Sequence, residues 1–187
     1  MIHSTETITR RRFTVDEYHR MWDADLFSGD KRFELIRGDI LEMPNGRPQH
    51  SSRVNRLTHL FTRRLGDSII VSVQNPFTID TYSEPVPDVS ILKPRADFYA
   101  KGHPLPEDVL LLIEIAQATL RFDTWIKGPL YAEAGIAEYW IVNVAEDVLE
   151  VRSEPVNGRY SRHDVFKRGD KVTPRAFPGM SFRVEEL

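Results

Sequence analysis

Apolar positions along this 187-residue chain fall into two rhythms, and each predicts a different element. Val109-Leu-Leu-Leu-Ile-Glu-Ile-Ala116 is almost uninterruptedly apolar, the pattern of a central strand buried on both faces of a sheet. Shorter runs at Ile69–Val73, Phe77–Asp80, Val86–Leu92 and Glu138–Asn143 predict further strands. Phe33–Ile36 and Ile40–Met43 flank Arg37-Gly38-Asp39 and predict a hairpin turning at Gly38. Helical spacing appears at Val54, Leu57, Leu60, Phe61 and Leu65, predicting a helix from about Gln49 to Leu65. The capping-box pattern Thr14-Val-Asp-Glu17 opens a helix reaching about Asp23. A third helix spans roughly Asp123 to Ala134 and stops at Gly135, with Pro129 tolerated near its first turn.

Between these lie a long Pro-containing connection, Lys93 to Asp108, and a final alternating stretch, Val148 to Val184. The latter is broken at Asn157-Gly158 and Pro174 and reads as strands and turns. Residues 1–12 read as a polar, loosely docked tail. With no repeat, low-complexity stretch or linker, residues 13–187 form one α/β domain, a central mixed β-sheet flanked by helices.

Composition narrows the function. No apolar run approaches the ~18 residues a membrane helix needs, so no membrane association is expected. The N-terminus lacks the apolar core of a secretory signal, and a cytoplasmic location is the default. The absence of cysteine removes disulfides, thiolate nucleophiles and cysteine-held zinc. A net charge of -3 argues against a passive nucleic-acid coat, but an enzyme needs only its cleft to attract phosphate.

Glu114 is the conspicuous residue. A carboxylate inside a buried strand needs a cation, a basic partner or a wet cleft, since leaving it unpaired costs several kcal/mol. A salt bridge at the strand end would also satisfy it. Asp88, after Pro87, marks a turn or strand start when taken alone; paired with Glu114 it supplies a second hard oxygen donor. Two carboxylates on separate strands suit Mg²⁺, with Mn²⁺ an alternative, and the Ile115 carbonyl is a further candidate ligand. Lys127 shares a helix face with Asp123 and Tyr131, either as an ordinary Asp–Lys pair on a solvated face or as an ammonium over the cleft.

The order Phe33-Glu-Leu-Ile36-x-Gly38, His50, Pro87-Asp-Val89 and Leu112-Ile-Glu-Ile115 resembles the Uma-type family of proposed restriction endonucleases. So does Asp123-x-x-x-Lys127-x-Pro129-x-Tyr131-Ala132-x-Ala134-Gly-Ile136-x-Glu138-Tyr-Trp-Ile-Val142. The similarity runs from about Phe13 to Leu187 and is densest over Lys127–Val142. It implies the restriction-endonuclease-like PD-(D/E)XK fold, metal binding by Asp88 and Glu114, and Lys127 as the catalytic lysine. Glu34 matches an acidic position facing the same cleft. The family-type lysine normally lies two residues after the second acid. Here Ala116 holds that place, so the lysine arrives from the next helix. Gln117-Ala118-Thr119 and Trp125-Ile126 also depart from the pattern.

Arg53, Arg56, Arg63 and Arg64 fall on one side of the 49–65 helix, with Arg47 and His50 at its start. This stripe is either a solvated face or a track for a phosphate backbone. His50 could contact phosphate, assist proton transfer or bond the helix end. His3, His19, His59, His103 and His163 are scattered and show no zinc spacing. No nucleophile elbow or glycine-rich phosphate loop is present. The expectation is a Mg²⁺-dependent endonuclease of DNA, with Asp88, Glu114, Lys127 and Glu34 in the catalytic set and a homodimer by fold analogy. A nuclease-fold binding or interaction module without turnover is the alternative, and RNA is an alternative substrate.

Overall fold

The Val109–Ala116 run is the spine around which the chain wraps. A computed structural model describes residues 9–27, 29 and 31–187. Its elements are α1 (Val15–Asp23), the hairpin β1 (Arg32–Ile36) and β2 (Asp39–Met43), and α2 (Pro48–Leu65). Then follow β3 (Ile70–Val73), β4 (Val89–Leu92) and β5 (Val109–Ala116). A helical stretch comes next: α3 (Leu120–Phe122), a π-turn (Asp123–Lys127) and α4 (Gly128–Glu133). The chain closes with β6 (Glu138–Asn143), β7 (Val148–Val156), β8 (Arg159–Lys167), β9 (Lys171–Val172) and β10 (Phe182–Arg183).

The main sheet has six strands in the order β3-β4-β5-β6-β7-β8. Only β5 and β6 run parallel, because the α3–α4 stretch supplies the crossover that a parallel pair requires. The other neighbours are antiparallel, so the sheet is mixed, as the pattern predicts. Strand alternation sorts β5 cleanly. Leu111, Ile113 and Ile115 pack with Val54, Leu57 and Phe61 of α2. Leu112 and Ala116 pack on the opposite side with Tyr131 and Ile136. Glu114 therefore points to the α4 side, and Trp140 and Tyr139 divide between the two cores as buried packing residues.

The β1–β2 hairpin turns at Arg37-Gly38, both with positive φ, and a side chain at Gly38 would run into Arg12. Of the tail, residues 1–8 lie outside the described region. Arg10 pairs with Asp39 and Arg12 stacks over Tyr82 while donating to the Arg37 carbonyl, so residues 10–12 dock on the hairpin.

Two expected elements differ. Phe77–Asp80 is not a strand: Phe77 and Thr78 donate to the carbonyls of Pro85 and Pro104, and Ile79 closes a tight turn on Ser83. Prolines at 76, 85 and 87 lack the N–H groups that a ladder would need. For the same reason β4 begins at Val89 rather than Val86. The third helix is not a continuous α-helix either. Pro129 cannot donate to the preceding turn, and the chain widens ahead of it so that Gly128 N–H reaches the Asp123 carbonyl, an i→i+5 bond.

Candidate active site

Asp88 precedes Val89, which pairs with Ile113, so Asp88 falls opposite Glu114 on the same side of the sheet. The backbone ties them together: Asp88 N–H donates to Glu114 Oε2 at 3.2 Å, and Ile115 N–H donates to Asp88 Oδ2 at 2.9 Å. A strand residue that bonds its neighbour presents N–H and C=O to the same edge, so the Ile115 carbonyl is directed towards Asp88 as well. β4 does not extend far enough to cover that edge, and Ile115 lines the cleft.

Lys127 reaches the site because of the π-turn, which brings Asp123 and Lys127 inward together, each only 2% exposed. The ammonium lies 2.9 Å from Glu114 Oε1 and 3.1 Å from Glu34 Oε1. Tyr131, one helical turn further on, donates its hydroxyl to the same Glu114 oxygen at 3.0 Å. Glu34 comes from β1, whose alternation sends Leu35 into the small core with Val15 and Tyr18 and Glu34 into the cleft. The lysine is thus a bridge between two acids, not a solvated i, i+4 partner.

His50, in the first turn of α2, sits 2.9 Å from Asp88 Oδ2 through Nε2, while Gln74 donates to Asp88 Oδ1 at 3.2 Å. His50 Nδ1 is buried without a partner beside Gly46, and the ring lines the cleft while it holds Asp88. Arg47 lines the cleft beside it. Arg53 and Arg56 do not: Arg53 bonds the Leu187 carbonyl and Asp147, and Arg56 bonds the Glu185 carbonyl. Arg64 continues the pattern onto Ser181 and Glu186. Three arginines of the stripe clasp the C-terminal segment, whose Phe182, Val184 and Leu187 complete the α2 core.

The electrostatics divide the acids. Burial pushes Asp88 up, but the His50 contact, the Ile115 N–H and Lys127 outweigh it and hold the carboxyl below its usual range. Burial raises Glu114 well above the ordinary range, with Lys127 opposing and Asp88, Asp123 and Glu34 reinforcing. Asp123 is likewise raised by burial, to about 6, although Lys127 and the Thr119 hydroxyl oppose the shift. For Lys127, burial works against the charge, but Glu114, Glu34 and Asp123 prevail and keep it protonated above the usual lysine range.

Four carboxyl groups, from Glu34, Asp88, Glu114 and Asp123, thus gather round the Lys127 ammonium in a cleft of ≈ 230 Å³ that Arg32, Arg47 and His50 also line. Glu34 Oε2 is buried and accepts no hydrogen bond. Clustered carboxylate oxygens, one of them orphaned, fit a hard divalent cation that keeps part of its water shell.

The burial of Asp123 has a measurable cost. A carboxyl raised from 3.8 to about 6 binds its proton more tightly folded than unfolded, so it lowers stability as pH rises from about 4 through 6. Asp123→Asn is therefore expected to stabilise the metal-free protein by about 1–3 kcal/mol at pH 8. Little change is expected at pH 4. Urea midpoints at the two pH values check this, and equal shifts at both would refute it.

Gln74, Tyr131 and Asp123 enter the site without having been assigned to it from the sequence. The helical phase linking 123, 127 and 131 and the family-like pattern point to two of them, and nothing local marks Gln74.

A family model described as "Putative restriction endonuclease" matches residues 15–185. Among solved structures, the crystal structure of "a putative nuclease belonging to DUF820" from Anabaena variabilis is similar to this chain. It has a TM-score of 0.70 and 17% sequence identity, covering 93% of this chain and 96% of that one. At that identity the likeness speaks to fold. No curated protein matches.

Proposed function

The chain belongs to the Uma2 family, and from that premise and the cleft we propose that it is a divalent-cation-dependent endonuclease hydrolysing phosphodiester bonds, with DNA as substrate. The observation that carries this reading is the convergence of Asp88, Glu114 and Lys127 from three separate elements on one cleft face. A purely structural salt bridge would need neither the second acid on the same edge nor the cleft.

Asp88, Glu114 and the Ile115 carbonyl would hold Mg²⁺, or Mn²⁺ in its place. The bound cation would supply Lewis-acid stabilisation of phosphate oxygens and a more acidic water. The residues do the rest. His50 and the Ile115 N–H hold the Asp88 carboxyl below its usual range, and Gln74 helps fix its orientation. Lys127 stays protonated, so it serves as a fixed positive charge for the attacking water or the developing phosphorane charge, not as the base. Glu34 and Tyr131 hold that ammonium and Glu114 in register, which makes them positioning residues. Arg47, at the cleft rim, suits contact with an incoming phosphate.

Purified protein incubated with supercoiled plasmid, single-stranded DNA and RNA, each with Mg²⁺, Mn²⁺ or chelator, tests the proposal. Cation-dependent nicking of plasmid supports it, and faster cleavage of RNA would move the substrate class. If no substrate is cut under any cation, or if Asp88→Ala and Glu114→Ala cut like wild type, the enzymatic reading fails. The first outcome would leave a nuclease-fold binding module.

A further inference from the structure

Away from the cleft, Glu84 is a buried carboxylate, 2% exposed, with no lysine or arginine partner among the described residues. Its Oε1 lies 2.7 Å from His19 Nε2 on α1, and its Oε2 accepts from the Thr78 hydroxyl at 2.8 Å. His103, from the 93–108 connection, brings a second imidazole, its ring centroid 5.8 Å from that of His19. One ligand atom from each of His19, Glu84 and His103 lies within 4.8 Å of the others, the only such trio among the described residues. Two surface hollows open on His19 and His103, so the spot is reachable from solvent.

We propose that His19, Glu84 and His103 form a second cation site, specific for a borderline metal such as Zn²⁺ and distinct from the nuclease cleft. Two imidazoles and one carboxylate are the donors that suit Zn²⁺ and Co²⁺, whereas Mg²⁺ prefers an all-oxygen shell. Ligand atoms held about 2.0–2.1 Å from a tetrahedral ion sit roughly 3.3 Å apart. His19 Nε2 and Glu84 Oε1 stand closer than that, at 2.7 Å, with every pair of ligand atoms within 4.8 Å, and half-exposed His19 and exposed His103 can adjust by side-chain rotation. The buried member is already oriented: Thr78 fixes one Glu84 oxygen and leaves the other against the His19 imidazole, the arrangement that tunes metal ligands elsewhere. Three protein ligands leave the fourth position to water.

Such an ion would staple three elements that are remote in sequence. α1 and the 93–108 connection would be pinned to residue 84, whose backbone pairs with Leu35 of β1 in both directions. Leu35 adjoins Glu34, so the staple would also fix the strand that presents Glu34 to Lys127. The site stands whether or not the cleft cuts DNA.

Zn²⁺ titrated calorimetrically into the full chain, with excess Mg²⁺ present, tests the site. Wild type is expected to bind a single equivalent and to melt at higher temperature. His19→Ala combined with His103→Ala should weaken binding on the order of 100-fold or more and remove the thermal shift. Both side chains are solvent-accessible, so folding should survive, with circular dichroism as control. Glu84→Gln, which can keep the Thr78 bond, should weaken Zn²⁺ in the same direction. Co²⁺ in place of Zn²⁺ should give the intense visible bands of tetrahedral coordination in wild type only. Undiminished Zn²⁺ binding in the double variant, or none in wild type, would overturn the proposal.

Discussion

Lys127→Met should cost the metal-free protein about 3–5 kcal/mol, and Mg²⁺ should restore part of that loss. The ammonium is fully buried between Glu34 and Glu114, both themselves buried. Methionine fills a similar volume but leaves two carboxylates facing one another in low dielectric. They must then protonate, repel or recruit another cation, and a divalent ion at the Asp88–Glu114 edge reduces the charge they see. Turnover should not recover with stability. The fixed positive charge beside the reacting phosphate is gone, a loss on the order of 10²–10³-fold in kcat. Urea unfolding with Mg²⁺ and with chelator, alongside nicking rates, separates the two effects. A variant as stable as wild type in chelator would show that the lysine does not offset the buried acids. Full activity would remove it from the catalytic set.

The acid pair was legible because a carboxylate inside an apolar strand is a thermodynamic anomaly visible in one line of sequence. Glu114 announced itself that way, and the strand bounds Val109–Ala116 and Glu138–Asn143 followed from the same continuous burial. The path of Lys127 into the cleft was not visible from periodicity. An α-helical wheel puts residues 123, 127 and 131 on one face but cannot say that a π-turn ahead of Pro129 carries Asp123 and Lys127 inward. The arginine stripe on α2 shows the opposite limit. Periodicity identifies a face, but what covers it depends on a segment more than a hundred residues away. Phe77–Asp80 has strand composition, yet its prolines and the tight turn after it route its hydrogen bonds into loops. His19, Glu84 and His103 share no spacing at all, since only the packing of α1 on the 84 and 103 segments makes them neighbours.

Asp88→Asn should be the most damaging conservative change to catalysis, on the order of 10³-fold in kcat/KM, with the fold intact. The amide oxygen can keep the Ile115 N–H bond, and Gln74 can turn its own amide to accept from the new NH₂. What disappears is a carboxyl that its surroundings hold below its usual range. Glu114 cannot substitute, because burial raises its carboxyl and cation binding there competes with a proton. The apparent Mg²⁺ affinity of wild type should therefore strengthen as pH rises, as protons leave Glu114 and Asp123. In Asp88→Asn that pH dependence should persist around a much weaker affinity. Glu114→Gln should instead flatten it. Calorimetric Mg²⁺ titrations from pH 5.5 to 8.5 on the three proteins read this directly. If Asp88→Asn cuts within about tenfold of wild type, or binds Mg²⁺ equally at every pH, Asp88 is a strand-start hydrogen-bonding residue and the cation must be held elsewhere.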